Sequence, residues 1–251
     1  MNQRSCDPRH GAIMVTGASS GIGAAIVRRL AEHNHDVVAI ARRTDRLAEL
    51  AAETGCRTAA VDIRDTDRVY ELVREVGPSV IVNNAGVAHG MAGLAASADD
   101  DIRVAIETNV IAPIHLIRAA IPLMKEAGGG HIITIGSISG LYPLVSALYS
   151  ASKGAMHSAM QTLRMEVRGM GIRVSEIAPG RTETELYDAA NIDPADRERM
   201  RVSGVELLTP DDVAAAVMFA LDAPLHVNIG LIELTPTEQA IGGASFTPFE
   251  R

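Results

Sequence analysis

Apolar positions along this chain fall into two alternating patterns. Short unbroken runs rich in β-branched residues recur: AIMVT (12–16), VVAIA (37–41), RTAAVD (57–62), SVIVNNAG (79–86), HIITIGS (131–137), IRVSEIAP (172–179) and NIGLIEL (228–234). Between the early runs lie stretches in which apolar residues return every three or four positions, as in IGAAIVRRLAEH (22–33), DRLAELAAE and DRVYELVREV. Unbroken apolar strands separated by helices predict a parallel sheet covered on both faces. Right-handed crossovers then make it an α/β, doubly wound sheet of about seven strands with helices on both faces. No Ser/Gly/Pro-rich linker and no internal repeat divides residues 1–251, so one domain is expected. The segment from about 181 to 208 breaks the pattern, with Asp188, Asp193, Asp196, Arg197, Glu198, Arg199 and Arg201 crowded together. It reads as a solvated helical excursion or as a lid over a site, and the two are compatible.

Charge and composition narrow the function classes. A formal net charge of -8 argues against nucleic acid or an anionic membrane as partner. The two cysteines, Cys6 and Cys56, form neither a disulfide framework nor a metal-ligand spacing. MNQRSCDPRHG lacks the apolar segment of a signal peptide, and no uninterrupted apolar run is long enough for a bilayer. A cytoplasmic protein with a small-molecule substrate is expected.

The first strand runs into TGASSGIG (16–23), with Gly17, Gly21 and Gly23. Glycines at such a turn let a pyrophosphate approach the backbone, and the helix beginning near Ile22 points free N–H groups at the same place. This is the phosphate cradle of a Rossmann-type, dinucleotide-binding domain. The second strand ends in Ala41-Arg42-Arg43, with no carboxylate at the corner; Asp36 precedes the strand and Asp45 lies in the next helix. NAD-binding folds place Asp or Glu there for the ribose 2′-hydroxyl, whereas two guanidiniums suit a 2′-phosphate. NADP(H) is therefore the expected cofactor.

With these motifs in order, the chain resembles the short-chain dehydrogenase/reductase family over almost its whole length. TGASSGIG resembles the family's glycine motif, Asp62 in VDI its adenine contact, and NNAG (83–86) the motif lining the cofactor. Asn109, Ser137, Tyr149 and Lys153 match its catalytic residues, the last two within YSASK. Pro179-Gly180 and the following Thr184 match the turn beside the nicotinamide. The resemblance thus implies a cofactor set of Gly17, Ser19, Ser20, Gly21, Ile22, Gly23, Arg42, Arg43, Asp62, Ile63, Asn84, Ala85, Gly86, Tyr149, Lys153, Pro179, Gly180, Thr182 and Thr184, no metal, and a homo-oligomer, tetramer or dimer. Ser137 lies one residue nearer to Tyr149 than in many members, so the loop LYPLVSAL is expected to be shortened by one. LTPDDVAAAVMFAL and PLHVNIGLIELTPTEQAIGG resemble NADP-dependent 3-hydroxy acid and serine dehydrogenases and the related sulfoacetaldehyde reductases.

The chain has only two Lys against 21 Arg, yet one follows Tyr149 at the i,i+4 spacing. Hydride transfer to a carbonyl leaves an alkoxide that needs a proton, and in the reverse direction a base must take one. Tyr has an ordinary pKa of about 10, and lowering it by about 3 units requires roughly 4 kcal/mol of preferential phenolate stabilisation. A cation one helical turn away has the right sign. Lys is a compact donor on a flexible stem, better suited than the rigid Arg fork to ribose hydroxyls and proton transfer. In the role the resemblance implies, Asn109 fixes a water linking Lys153 to solvent.

Substrate contacts are expected at Ser137, with Ser139 as the alternative serine, at His89 just past NNAG, and at Arg181, which could hold an anionic group or a cofactor phosphate. Asp99–Asp101 are expected to begin a helix. An NADP(H)-dependent oxidoreductase for a small hydroxy acid, aldehyde or ketone follows. The alternatives are a 3-oxoacyl thioester reductase and a catalytically silent NADP-binding sensor.

Overall fold

The computed structural model describes residues 10–91, 93–144, 146–186 and 204–240. Seven strands, β1 (Ile13–Thr16), β2 (Val37–Ala41), β3 (Arg57–Ala60), β4 (Val80–Asn83), β5 (Gly130–Ile135), β6 (Ile172–Pro179) and β7 (Leu231–Leu234), form one sheet in the order β3-β2-β1-β4-β5-β6-β7. Every pairing is parallel. Strand order reverses between β1 and β4, which opens a crevice at the carboxyl ends of the strands.

The helices are α1 (Gly21–Glu32), α2 (Thr44–Thr54), α3 (Thr66–Val76), α4 (Asp99–Ile106), α5 (Ala112–Glu126), α6 (Ala147–Glu166) and α7 (Pro210–Asp222). One face of the sheet packs on α1, α2 and α7 through Ile26, Leu30, Leu47, Leu50, Val213 and Val217. The other packs on α3, α5 and α6 through Leu72, Val73, Leu116, Met124, Met156 and Met160. Strands β1, β2, β4, β5 and β6 are buried throughout. Fully buried residues such as Ile13, Ile81 and Ile132 each contribute roughly 2 kcal/mol relative to an exposed side chain.

Two expectations shift. β3 and β7 are edge strands and largely open to solvent, so the apolar-run argument describes the centre of the sheet and not its borders. The apolar runs also overshoot the strands. Asp62, Asn84–Gly86 and Gly136–Ser137 lie past the strand ends, where they border the crevice. The expected lid overlaps the described residues only at 181–186 and 204–208; its charged middle lies outside them.

The helical stretch Asp99–Glu126 is long and apolar enough, by length and composition, to cross a membrane (mean hydropathy 1.4). In the fold, Ala112, Leu116, Ile117, Ala120 and Met124 turn its second half onto the sheet. A single π-turn, Glu107–Ile111, separates α4 from α5. Its wider winding is a common device at functional sites, and it carries Asn109.

Candidate active site

The crevice is a cleft of about 390 Å³ running from the glycine turn to α6. At its first end, Gly17 has φ +66° and a Cβ there would stand 2.8 Å from Ala85 Cα, so the turn closes only on glycine. Gly21, Ile22, Ser19 and Ser20 line the cleft; Gly23 lies beneath the turn, where its lack of a side chain lets α1 pack on Gly17. Helix α1 begins without a side-chain cap and without an acidic residue in its first turn. By contrast, Asp65 caps α3 and Thr209 caps α7. An uncapped N-terminus opening into a cleft suits a bound anion.

Ser20, the residue that would cap α1, instead accepts a hydrogen bond from Arg43 Nη2 at 2.6 Å, while Arg43 Nε donates to Ser19 Oγ at 3.0 Å. The third arm, Nη1, meets Glu185 at 3.2 Å, and Arg46 donates to both Glu185 oxygens at 2.8 Å. The Arg46 hydrogen bonds, with Arg43 behind them, hold Glu185 below the usual carboxylate range. Arg42 stands 3.8 Å from Asp62, which Arg64 binds more closely at 2.7 Å. That contact with Arg64 depresses the Asp62 pKa. Arg42, Arg43, Asp62 and Ile63 all line the cleft. The donor set fits a dinucleotide with a phosphate on its adenosine ribose, because guanidiniums and an uncapped helix end meet where a carboxylate would repel that phosphate.

At the other end, Tyr149 and Lys153 sit one turn apart on α6, whose start is capped by Ser146 accepting from Tyr149 N. Tyr149 is 8% exposed and Lys153 9%, and both border the cleft with Ser137. Lys153 Nζ donates to the Ile135 carbonyl at 2.9 Å and lies 5.9 Å from the centre of the Tyr149 ring. Burial pushes the Lys153 pKa down to about 8, while Glu176 acts in the opposite sense. Ser137 Oγ accepts from Ser139 N at 3.1 Å, which turns Ser137 into the cleft and leaves Ser139 off its wall.

Asn109 behaves as a clamp. Its Oδ1 accepts from Val87 N at 2.8 Å, and its Nδ2 donates to Val87 O at 2.9 Å and Ser152 Oγ at 3.0 Å. The carboxamide thereby ties the loop following NNAG to α6. Asn84 plays the matching part below, donating through Nδ2 to Thr16 O at 2.9 Å. A Cβ on Gly86 would lie 3.3 Å from Asn109 Oδ1, so Gly86 leaves room for that clamp; Gly86 and Lys153 line the cleft, whereas Asn109 is not among the described residues on its wall.

Pro179, Gly180, Thr182, Thr184 and Leu186 form the opposing wall, and Ala88, Met91, Tyr149 and Leu186 make a small apolar cluster. His89 reaches the cleft with its Nδ1 held 2.7 Å from Asp101 Oδ1, and this hydrogen bond lowers the Asp101 pKa. Asp101 also accepts from Ala98 N, so the acidic run opens α4 as expected, one of its members shared with His89. Arg181 is not among the described residues lining the cleft; its backbone N–H donates to Gln239 Oε1.

Sequence reasoning overlooked Glu185 and Arg46, which have no local signature because their partners lie far along the chain, and Arg64, whose partner Asp62 is only two residues away. It also overlooked Glu176 and His157, joined at 2.7 Å behind Lys153. A signal existed for that pair: a lone acid in the buried strand IRVSEIAP, and a His four residues after Lys153.

A parallel sheet with a glycine-rich phosphate turn and a buried Tyr–Lys pair across the same cleft defines a dinucleotide-dependent dehydrogenase class. The model of the short chain dehydrogenase family matches residues 11–195. An NADP-dependent 3-hydroxy acid dehydrogenase of Salmonella typhi is 33% identical over 242 residues, covering 93% of this chain and 98% of that protein. Sulfoacetaldehyde reductase 2 of Chromohalobacter salexigens is 33% identical over 250 residues, covering 91% and 95%. A closed form of serine dehydrogenase complexed with NADP+ superposes with a TM-score of 0.87 at 32% identity, covering 96% of this chain and all of that one. The chain belongs to the short-chain dehydrogenase/reductase family and is an oxidoreductase.

Proposed function

We propose that the protein is an NADP(H)-dependent dehydrogenase/reductase that interconverts an alcohol and a carbonyl on a small hydroxy acid or aldehyde, with Tyr149 as general acid/base. The observation that carries this reading is the buried Tyr149–Lys153 turn of α6 beside Ser137. The names of the relatives, which act on 3-hydroxy acids, serine or sulfoacetaldehyde, support the substrate class. Ser19, Ser20, Arg42 and Arg43 would hold the 2′-phosphate, the N-terminus of α1 the pyrophosphate, Asp62 and Ile63 the adenine, and Pro179 to Thr184 the nicotinamide end.

When bound, the cofactor accepts or donates the hydride. The protein's own groups handle the substrate oxygen and its proton. Ser137 Oγ holds that oxygen beside Tyr149 Oη. In oxidation Tyr149 takes the hydroxyl proton; in reduction it returns one to the nascent alkoxide. The Lys153 ammonium favours the phenolate where both side chains are buried, and there a unit charge acts far more strongly than at the surface. Asn109 keeps α6 and the NNAG turn in register. His89, oriented by Asp101, offers a polar contact in an otherwise apolar substrate wall, and residues 181–186 form the root of a lid over it.

Steady-state assays with NADP(H) across hydroxy acids, aldehydes, sulfonates and a 3-oxoacyl thioester test the reading. Tyr149→Phe should reduce turnover of the best substrate by about 10³-fold or more while NADPH binding, read by fluorescence, persists. Undiminished turnover by Tyr149→Phe would refute the assignment.

A further inference from the structure

Glu176 is the most deeply buried acid among the described residues, at 1% exposure. Its neighbours on the same face of β6, Ile172 and Val174, belong to the apolar layer beneath α5 and α6. A carboxylate in such a layer is unfavourable unless partners compensate it. Here Oε2 takes a hydrogen bond from His157 Nδ1 at 2.7 Å, while Oε1 is buried without a hydrogen-bond partner. Gln161 Nε2 stands 2.7 Å from His157 Nε2; it donates there, which leaves the Nδ1 proton for Glu176.

The place of this pair is specific. Oε1 lies against Gly136, where any Cβ would collide with it, and Gly136 joins Ile135 to Ser137. The Ile135 carbonyl is the acceptor of the Lys153 ammonium. The carboxylate and the ammonium thus lie along one short stretch of backbone at the end of β5. On α6, Tyr149, Lys153, His157 and Gln161 follow at successive intervals of four, and the series leads from the cleft to the exposed face at Gln161. Other groups facing Glu176 carry no second acid among the described residues. α6 offers Lys153, His157 and neutral Gln161, with Arg164 further along beside Gly230; β5 offers Gly136; β7 offers Leu231, opposite Glu176 in register.

We propose that Glu176, held by His157, is a positioning residue: its buried carboxylate is the fixed counter-charge that sets how the Tyr149–Lys153 pair titrates. Its charge opposes the downward push of burial on Lys153, alongside the hydrogen bond that the ammonium donates to the Ile135 carbonyl. The inference rests on the reading of Tyr149 and Lys153 as the reacting pair.

The test is the pH profile of kcat/KM for alcohol oxidation. Glu176→Gln removes one negative charge at nearly constant shape, and a less negative site releases its proton more easily. The rising limb should move to lower pH by about one unit, the size expected for a charge at close range, with KM for NADP unchanged within about twofold. A purely structural role would lower the amount of active enzyme and leave the limb in place. If Glu176→Gln does not fold, two substitutions on the helix decide. His157→Leu withdraws the donor that fixes the carboxylate in place and moves the limb from its parent position; His157→Asn keeps an N–H at the Nδ1 position and restores it. A limb unmoved in every folded variant overturns the proposal. If Tyr149→Phe abolishes turnover while that limb stays fixed, only this inference falls; if Tyr149→Phe stays active, the reading beneath it falls.

Discussion

The two ends of the cleft handle charge in opposite ways. At the phosphate end the cations are solvated, with Arg42, Arg43 and Arg46 side chains 67%, 42% and 38% exposed, and each pairs with an acid. At the reacting end Lys153 is 9% exposed and has a backbone carbonyl as its hydrogen-bond partner. Exposed pairs are screened beyond about 8 Å at physiological salt and contribute little individually. A buried charge is screened far less, so its field at Tyr149 is large and its own presence is costly. The solvated end can exchange partners when an anion arrives, whereas the buried end must be preorganised.

The largest effect is expected from removing the buried cation. Lys153→Met should lower kcat by about 10³-fold, since Tyr149 loses the charge that favours its phenolate. Stability should move the other way. Lys153 titrates at about 8 instead of 10.5, so at pH 7, below both values, the folded state carries a charge that is disfavoured by roughly 3 kcal/mol. The sign is that of a depressed base: the cost is full below pH 8 and fades as pH rises towards 10.5. Calorimetry at pH 7 in the Glu176→Gln background, where no buried carboxylate is left without its cation, should therefore give Lys153→Met a Tm at or above that of the Lys153 enzyme in the same background. A lowered Tm together with lost activity would make Lys153 a structural residue and erase the contrast between the two ends.

The next effect is smaller and belongs to the solvated end. Arg43 has a fork anchored on Ser19 and Ser20, the geometry of a preset phosphate site. Arg43→Ala should raise KM for NADP about tenfold and leave KM for NAD within about twofold, because only the phosphate bonds are lost. The NADP preference should also shrink as salt rises in the parent and respond less in the variant. Equal losses with both cofactors would place Arg43 in the scaffold and not in cofactor choice.

The same contrast explains what the sequence made legible. The strands β1, β2, β4, β5 and β6 were readable because full burial on both faces forces an unbroken apolar run. Tyr149, Lys153 and the glycine turn were readable because their spacing follows local backbone geometry. Edge strands β3 and β7 lacked that constraint, and strand ends were drawn too wide at the edges and after the buried β4 and β5 alike. Glu185 was invisible for another reason: it lies 142 residues from Arg43, and only the fold sets the end of β6 beside the corner after β2. Glu176 was the converse, a local anomaly in an apolar strand whose meaning came only with His157 and Gly136 around it.

Glu185 gives the finest test of partner exchange. Its carboxylate holds Arg43 Nη1 and both bonds from Arg46 where a 2′-phosphate would need those donors. A phosphate carries more charge than a carboxylate and three acceptor oxygens, so it should displace Glu185 instead of sharing the fork with it. Glu185→Gln removes the competitor while keeping the shape. KM for NADP should fall by about twofold to fivefold at low ionic strength, the scale of an exposed ion pair, and the gain should vanish in high salt. NAD should show no gain. A rise in KM for NADP would mean that Glu185 orients Arg43 for the phosphate, and the exposed end would then be preorganised like the buried one.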